Sequence, residues 1–409
     1  MKILIVSPYL PHPKSGHGTG VFMYELLQQL SSRHDITLIS FCNDAELILA
    51  QDFTRVPIEL LTVPRGKGVQ RNLFRNLTLA ALRGFQLVRS ILLWQPYYVG
   101  KFHHSGMKQL VRRLTSERKF DIVQFEFASL AQYVTEARSG KKILHEHDVT
   151  FRPAYRAYKH ATSLLRRAVL FIEWCRWSAY ERTMMRQFDR VLCVTEQDKM
   201  LLEKLSGSNR ISYFPRAVDM PGHVPEEQKR KPQTLLFVGT FSHRPNTDAA
   251  LWLVREIFPL IAKRFPGSVL SIVGSDPPDE LLAHSEHNPN IKVPGFVDDV
   301  AKYFQESSVF IAPLRFGGGV KVKILHAMAL GIPVVTTRVG TEGIDGFEPG
   351  DALVGESASK LADCVCELFS DPSRASEVGK RGSEIVRRGY SWSSAVARLD
   401  KIYSDVLPS

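Results

Sequence analysis

The run Phe310–Thr337, FIAPLRFGGGVKVKILHAMALGIPVVTT, reads without interruption as a buried strand, a triple-glycine turn, a helix and a second buried strand. Glycines leading into a helix gather backbone amides at its N-terminus and form an anion site, and Lys321 and Lys323 follow within one helical turn. A phosphate-bearing ligand is therefore expected at the carboxyl end of a parallel sheet, where open α/β folds place their ligands.

Strand and helix patterns alternate along most of the chain, which argues for parallel sheets covered on both faces. In the first half Ile3–Val6, Asp35–Ser40, Asp121–Phe125, Lys142–His145 and Arg190–Val194 read as strands, with helices at Val21–Leu30 and from about Ser163 to Gln187. Pro215–Pro232 breaks the pattern with four prolines and little to bury, and reads as a linker. Alternation then resumes: Thr234–Val238, Val269–Val273, Ile291–Val293, Val309–Ala312 and Pro333–Thr336 read as strands. Helices are expected at Thr247–Ala262, Val300–Glu306, Lys321–Leu330, Ala358–Phe369 and Ser391–Val406. A chain of 409 residues exceeds one ordinary core. The expected division is a domain over 1–214, a linker over 215–232, a second α/β domain over 233–388, and a terminal helix over 389–409 that reaches back across the linker.

Hydrophobic residues at 44% and charged residues at 23% fit a water-soluble globular chain. The five cysteines are odd in number and several lie in apolar runs, so they read as reduced core thiols of a cytosolic protein. The apolar start Ile3–Val6 is too short for a signal peptide, and no uncharged apolar stretch reaches the roughly 18 residues of a membrane span. Between Arg65 and Lys119 twelve Lys/Arg face a single acid, Glu117. Within this stretch Leu73–Trp94 mixes apolar residues at helical spacing with arginines, followed by Tyr97 and Tyr98. Such a segment suits the interface of an anionic membrane, on its inner face; the plainer reading is a core-packing helix with a basic outer side. Nucleic acid is not expected as a partner, because no reader motif accompanies the charge.

Several turns carry candidate chemistry. After the first strand, Gly16, Gly18 and Gly20 would let a ligand approach the backbone, although a plain flexible turn reads equally well. Lys142–Thr150 is a strand ending in His145, Glu146, His147 and Asp148, whose alternation sets the two histidines on one side and the two acids on the other. Charged groups at such an edge favour a site role, with His147 as the leading substrate contact. A structural histidine is the bland alternative, and a metal pair finds no third ligand in the sequence. In the second half, Leu235–Ala249 is strand, glycine turn and helix, with Asn246 or Thr247 as the helix cap and Arg244 where a phosphate would be met, unless Arg244 is a solvated loop residue. Helical spacing puts Lys323 and His326 on one face.

Taken together, these motifs resemble a retaining glycosyltransferase of the two-Rossmann-domain GT-B type, in the group called family 4 or group 1. The parts that carry the resemblance are Phe237-Val-Gly239 with Pro245-Asn246 and Asp248-Ala249, Ile272-Val-Gly274, Pro294-Gly-Phe-Val297, the run Pro313–Val335, and Ser391-Trp392. The resemblance implies two Rossmann-like domains facing each other across a cleft, the first binding the acceptor and the second a nucleotide-sugar donor. It implies that Lys323 neutralises the diphosphate, that Gly317, Gly318, Gly319 and Val320 let sugar and phosphates approach the backbone, and that Gly239 belongs to the same donor site. It implies further that Gly295, Phe296 and Val297 line a nucleobase pocket, that Gly16 and Gly18 close on the diphosphate, and that His147 meets the transferred sugar.

The chain departs from the family pattern where relatives read Glu-Ala-Met-Ala: here the helix has His326-Ala-Met-Ala, so the carboxylate that grips the donor ribose is missing. The other glutamate of that spaced pair falls at Gly318, and Pro215-Arg-Ala-Val-Asp219 stands where relatives read Pro-Asn-Gly-Val-Asp. A neutral imidazole accepts one hydrogen bond, whereas a carboxylate takes two hydroxyls. The expected activity is transfer of a sugar from a nucleotide diphosphate to a hydroxyl of a glycan or lipid-linked saccharide, with retention and without a metal or other cofactor. Lys323, with Arg244 and His147, would carry the chemistry. A catalytically impaired homologue that binds a ligand, and a sugar-nucleotide epimerase, are the rival readings.

Overall fold

The computed structural model describes residues 1–13, 18–65, 94–159, 161, 163–220 and 230–407. The expected basic amphipathic stretch Leu73–Trp94 lies outside these residues except for Trp94, as do Gly16 and half of the 215–232 segment. The chain divides into two compact units, one formed by Met1–Phe214 with Val396–Ser409 and the other by Pro215–Ala395. No helix among the described residues is long and apolar enough to cross a membrane.

The first unit holds a seven-stranded sheet in the order β3-β2-β1-β4-β5-β6-β7, every pairing parallel. Its strands are β1 (Lys2–Ser7), β2 (Asp35–Cys42), β3 (Glu59–Pro64), β4 (Ile122–Glu126), β5 (Lys141–Glu146), β6 (Arg190–Cys193) and β7 (Ile211–Tyr213). The chain runs outward from β1 to β3, then returns to the other side of β1 with β4, so the sheet order reverses between β1 and β4. Helix α1 (Gly18–Ser31) follows β1, while α2 (Phe151–Lys159) and α3 (Leu164–Met185) lie between β5 and β6. Edge strands β3 and β7 are short and only partly apolar, which is why periodicity alone does not reveal them.

The second unit holds a six-stranded parallel sheet in the order β10-β9-β8-β11-β12-β13. Its strands are β8 (Lys231–Val238), β9 (Val269–Val273), β10 (Ile291–Gly295), β11 (Ser307–Ala312), β12 (Val334–Thr336) and β13 (Leu353–Val354). Its order reverses between β8 and β11. Alternate residues of these two strands feed opposite layers: Leu235, Phe237, Val309 and Ile311 enter one core, Leu236, Phe310 and Ala312 the other. Burial on both faces explains why these strands read as continuous apolar runs.

Helix α4 (Arg244–Trp252) starts earlier than expected, and neither Asn246 nor Thr247 caps it. Pro245, with its fixed φ and no N–H, occupies the first turn instead. The side chain of Asn246 donates to the Thr240 carbonyl (2.8 Å) and that of Thr247 to the Phe241 carbonyl (2.6 Å), so both serve the preceding turn. The helical stretch continues through a π turn at Leu253–Ile257 into Phe258–Arg264. Helix α5 (Val322–Ala329) packs beside α6 (Pro372–Gly389), and the last helix, α7 (Trp392–Val406), begins in the second unit and ends in the first.

In the described part of the basic stretch, the Ser105–Glu117 helix buries Met107, Val111 and Leu114 in the first-unit core. Its Lys108 and Arg112 pair with the buried Glu136 at 3.1 and 2.6 Å. These residues follow the core-packing alternative.

Gly274 ends β9 with φ +155°, and a Cβ there would stand 1.8 Å from the Gly239 carbonyl oxygen. Gly274→Ala must push apart the ends of β8 and β9, and should destabilise the protein by about 1–3 kcal/mol, read as a lowered urea midpoint.

Candidate functional site

Both sheets place their candidate chemistry at the reversal of strand order, and each unit is described by itself. In the first unit β4 pairs with β5 so that Glu126 stands opposite His145. Glu126 is fully buried, and one of its oxygens, Oε2, lies 2.6 Å from His147 Nε2 and 3.0 Å from His145 Nδ1. The other oxygen accepts from Gln124 Nε2 at 2.6 Å, and Gln124 Oε1 accepts from the hydroxyl of Tyr403 on α7 at 2.7 Å. Burial alone would raise the Glu126 pKa, but the two imidazoles overcome it and hold the carboxyl well below the usual range. The Phe22 ring, on α1, meets both imidazoles edge-on at 6.4 and 6.3 Å. Phe127 covers His147 at 4.3 Å from a backbone with φ +66°, a conformation that costs a non-glycine residue energy and marks functional positions.

Alternation thus puts His145 and His147 on one side of β5 as expected, and the structure adds the third member that the sequence reading lacked. Glu126, His145 and His147 form a cluster whose donor atoms lie within 4.8 Å of one another. The 2.6 and 3.0 Å separations are hydrogen-bond lengths, whereas ligands about 2.0–2.1 Å from one zinc ion spread further apart. On the opposite side of β5, Glu146 is buried and its pKa is raised well above normal, by burial first and then by Glu181, Asp148 and Asp198. Glu181 on α3, pushed up to about 8 by burial, accepts from the Thr150 and Phe151 amides at the start of α2.

In the second unit the Lys323 ammonium lies 2.6 Å from Asn246 Oδ1 and 4.5 Å from the centre of the Phe237 ring. No carboxylate among the described residues pairs with it, and burial lowers its pKa to about 7. Gly239 makes room for this arrangement: a Cβ there would lie 2.8 Å from the Asn246 side chain and 2.9 Å from Lys323 Nζ. Lys321, by contrast, is buried and donates to the Gly319 carbonyl at 2.7 Å, so it ties down the turn. Gly317 and Gly319 have φ of +126° and +69°, conformations that favour glycine, and Gly318 between them is exposed. The same turn is anchored by Arg315, which reaches Asp248 on α4 at 2.8 Å and lies over Trp252.

The remaining expected donor residues are spread around this edge. Gly295 ends β10 at φ +75°, and Phe296 after it is 72% exposed, an uncommon state for so large an apolar ring. Val297 and Val320 instead pack partly into the core. Arg244 is exposed at the first residue of α4, and Gly18, in the other unit, opens α1 with free space around it. His326 opens to solvent on α5, although the protein around it lowers its pKa by desolvation while Asp219 pulls the other way.

Residues 16–220 match the family model described as Glycosyltransferase Family 4, and residues 232–371 match that described as Glycosyl transferases group 1. The chain belongs to glycosyltransferase family 4. This glycosyltransferase is 22% identical over 86% of its length, and 87% of the relative's, to an uncharacterized 44.6 kDa protein in the cps region of Klebsiella pneumoniae. It is 30% identical over 34% of its length, and 40% of the relative's, to a GDP-mannose-dependent α-(1-6)-phosphatidylinositol monomannoside mannosyltransferase of Mycobacterium tuberculosis. Sucrose-phosphate synthase from Thermosynechococcus elongatus superposes with a TM-score of 0.69 at 16% identity over 99% of each chain. The HepE protein of Anabaena, solved with UDP, gives 0.67 at 13% identity over 99% of this chain and 100% of that one. The fold is accordingly of the GT-B type, with its two parallel-sheet domains.

Glu126, Gln124, Tyr403 and the lysine-holding role of Asn246 were missed at the sequence level. A signal existed for the first two: Gln124 and Glu126 are polar residues two apart at the end of an apolar strand, the pattern that singled out His145 and His147. Replacing Glu126 with Gln removes the charge between two buried imidazoles and should cost about 3 kcal/mol at pH 6. Because the folded carboxyl titrates below its unfolded value of 4.5, its contribution is present above that value and fades as pH falls. The gap between wild type and Glu126→Gln in urea denaturation should therefore narrow from pH 6 to pH 3.5.

Proposed function

We propose that this family 4 enzyme transfers a sugar from a nucleoside diphosphate sugar to a hydroxyl of a glycan or lipid-linked saccharide at the cytoplasmic face of a membrane, with retention and without a metal. The observation that carries the reading is Lys323: a half-buried lysine with no carboxylate partner among the described residues, behind a triple-glycine turn and at the head of a helix. Stabilising a departing diphosphate requires fixed positive charge that needs no rearrangement during reaction. Lys323, the amides of the 317–319 turn and Arg244 supply it, so a divalent ion is not required. The GDP-mannose-dependent mannosyltransferases among the relatives and the neighbour solved with UDP support a nucleotide sugar and leave two bases to test.

The nucleobase would lie against Gly295 and the exposed Phe296, whose ring offers a stacking face. The family resemblance also assigns Gly16 and Gly18 to binding of the diphosphate. His147, held by Glu126, would meet the transferred sugar: one nitrogen faces a carboxylate, which fixes the ring and sets a buried negative charge behind it to offset positive charge developing on the sugar. That role suits support of an oxocarbenium-like centre better than strong-base chemistry.

His326 motivates the second reading, a weakly active or purely binding homologue. If the missing carboxylate limits donor affinity, His326→Glu should tighten nucleotide binding about 10- to 100-fold, the worth of roughly 1.5–3 kcal/mol for a charge-assisted hydrogen bond. An unchanged dissociation constant would remove His326 from the ribose site.

Lys323 gives the sharper test. With its pKa lowered from 10.5 to about 7, the folded protein penalises the charged form, so stability falls as pH drops from about 10.5 to about 7 and is level below that. A bound pyrophosphate raises the pKa again, so binding of UDP or GDP at pH 8 should take up close to one proton, whereas binding at pH 6 should take up almost none. Calorimetry in buffers of different ionisation enthalpy measures this uptake. Lys323→Met should abolish it and reduce sugar transfer by at least about a hundredfold; wild-type-like transfer by that variant would remove the diphosphate assignment.

A further inference from the structure

The helical hairpin of α2 and α3 carries a feature that sugar transfer does not use. The first turns of α3 are exposed on every side, from Ser163 through Val169, and Leu164, Leu165 and Val169 are 85, 78 and 58% exposed. Phe171 and Ile172 are exposed as well. At about 100° per residue, Leu164, Leu165, Ala168, Val169 and Ile172 fall within an arc of about 140°, with Arg166 beyond one edge and Arg167 beyond the other. Between Phe151 and Ile172 the sequence contains Arg152, Arg156, Lys159, Arg166 and Arg167 and no Asp or Glu. The first acid of α3, Glu173, follows only after this stretch.

Behind the apolar tip lies an aromatic band. Tyr158 stacks parallel to Trp174 at 6.1 Å, Tyr155 and Phe171 flank the same indole at 5.1 and 5.7 Å, and these rings tie α2 to α3. Lys159 lies 5.1 Å over Tyr155 and Arg167 lies 5.2 Å over Tyr158, so the cations sit at the level of the aromatic rings.

From this arrangement we infer that the hairpin tip inserts into an anionic lipid surface. An interface with another protein would use one face of the helix, whereas among the described residues Ser163–Val169 are exposed on every side, as entry into a fluid apolar medium allows. The order along the hairpin, apolar tip, flanking arginines, then amphipathic rings, is that of a group seated at the boundary between acyl chains and headgroups. Lys159, Arg166 and Arg167, exposed and with no acid between Phe151 and Ile172 in the sequence, complement a negatively charged leaflet. This surface is distinct from residues 66–93, and the inference rests on the reading that the acceptor is presented at a membrane.

Flotation with vesicles of phosphatidylcholine containing 30 mol% phosphatidylglycerol, compared with phosphatidylcholine alone, tests the inference. Wild type should bind the anionic vesicles at least tenfold more tightly, and 0.5 M salt should weaken that binding. Leu165→Glu/Val169→Glu should lose at least tenfold in vesicle affinity, and so should Arg166→Glu/Arg167→Glu. Both variants should keep the wild-type dissociation constant for UDP or GDP, which separates failure of this surface from failure of the transferase reading. A single Leu165→Trp variant should be quenched by acyl-chain bromine on vesicle binding. Undiminished flotation of Leu165→Glu/Val169→Glu, absent flotation of wild type, or a wild-type dimer that this double variant converts to monomer would each overturn the inference.

Discussion

A half-buried lysine with no carboxylate beside it among the described residues is a costly arrangement, and the second domain is organised around it. Lys323 is tolerated because the Asn246 carbonyl oxygen and the Phe237 ring offer partial negative charge, and because Gly239 leaves the space in which they meet. Each partner comes from a different segment: Phe237 from β8, Asn246 from the first turn of α4, and the lysine from α5. All three elements abut the point where the sheet order turns back between β8 and β11. The topology therefore delivers the charge to the one edge of the sheet where a ligand can approach between diverging connections. Lowering the lysine pKa leaves an electrostatic deficit that an anion can fill, which is how structural strain becomes binding energy.

The first domain uses the same topological position with the opposite sign of charge. At its reversal between β1 and β4 the buried carboxylate of Glu126 is surrounded by imidazoles and tied through Gln124 to Tyr403. A rigid hydrogen-bonded chain of this kind fixes the orientation of His147 more tightly than packing alone would. It also makes the terminal helix part of the site's support: Tyr403 is fully buried, and Asp400 on the same helix meets His34 at 2.8 Å. The terminal helix thus adds polar specificity to the first domain as well as covering it.

How far the sequence revealed this depends on whether a residue's job is local. The run Phe310–Thr337 announced a strand, a glycine turn and a helix because each piece has its own local signature: continuous apolar residues, glycines at positive φ, and helical periodicity. The glycines at Gly317 and Gly319 and the buried lysine could be named from that run. Asn246 was misjudged as a cap because capping chemistry is local, whereas its real partner, Lys323, is 77 residues away. Glu126 was overlooked for a related reason. The strand that carries it gave no hint of which strand would lie alongside, and only the pairing of Glu126 with His145 creates the triad. Short edge strands β3 and β13 escaped because a few partly buried residues carry little periodicity. The exposed tip of α3 was legible only in part: its apolar spacing looks like a core helix, whereas the structure leaves Ser163–Val169 exposed among the described residues.

These two sites divide the labour of group transfer along physical lines. A leaving diphosphate gains charge as its bond to sugar breaks, and in the proposed reaction the second domain would answer with fixed cations and amide dipoles. The sugar left behind would lose electron density, and in the proposed reaction the first domain would answer with a histidine backed by a carboxylate that two imidazoles keep ionised against the cost of burial. If His147 were backed by a neutral group, its ring would resist proximity to a cationic centre. Glu126 removes that penalty while remaining too buried to react itself. If His326 stands at the donor ribose as proposed, the missing carboxylate would weaken ground-state grip of the donor and leave intact the two elements proposed to act on developing charge. A chain altered in this way should retain its chemistry and bind its donor loosely, so the turnover measured at saturating donor, rather than affinity alone, decides between a working transferase and a binding relic.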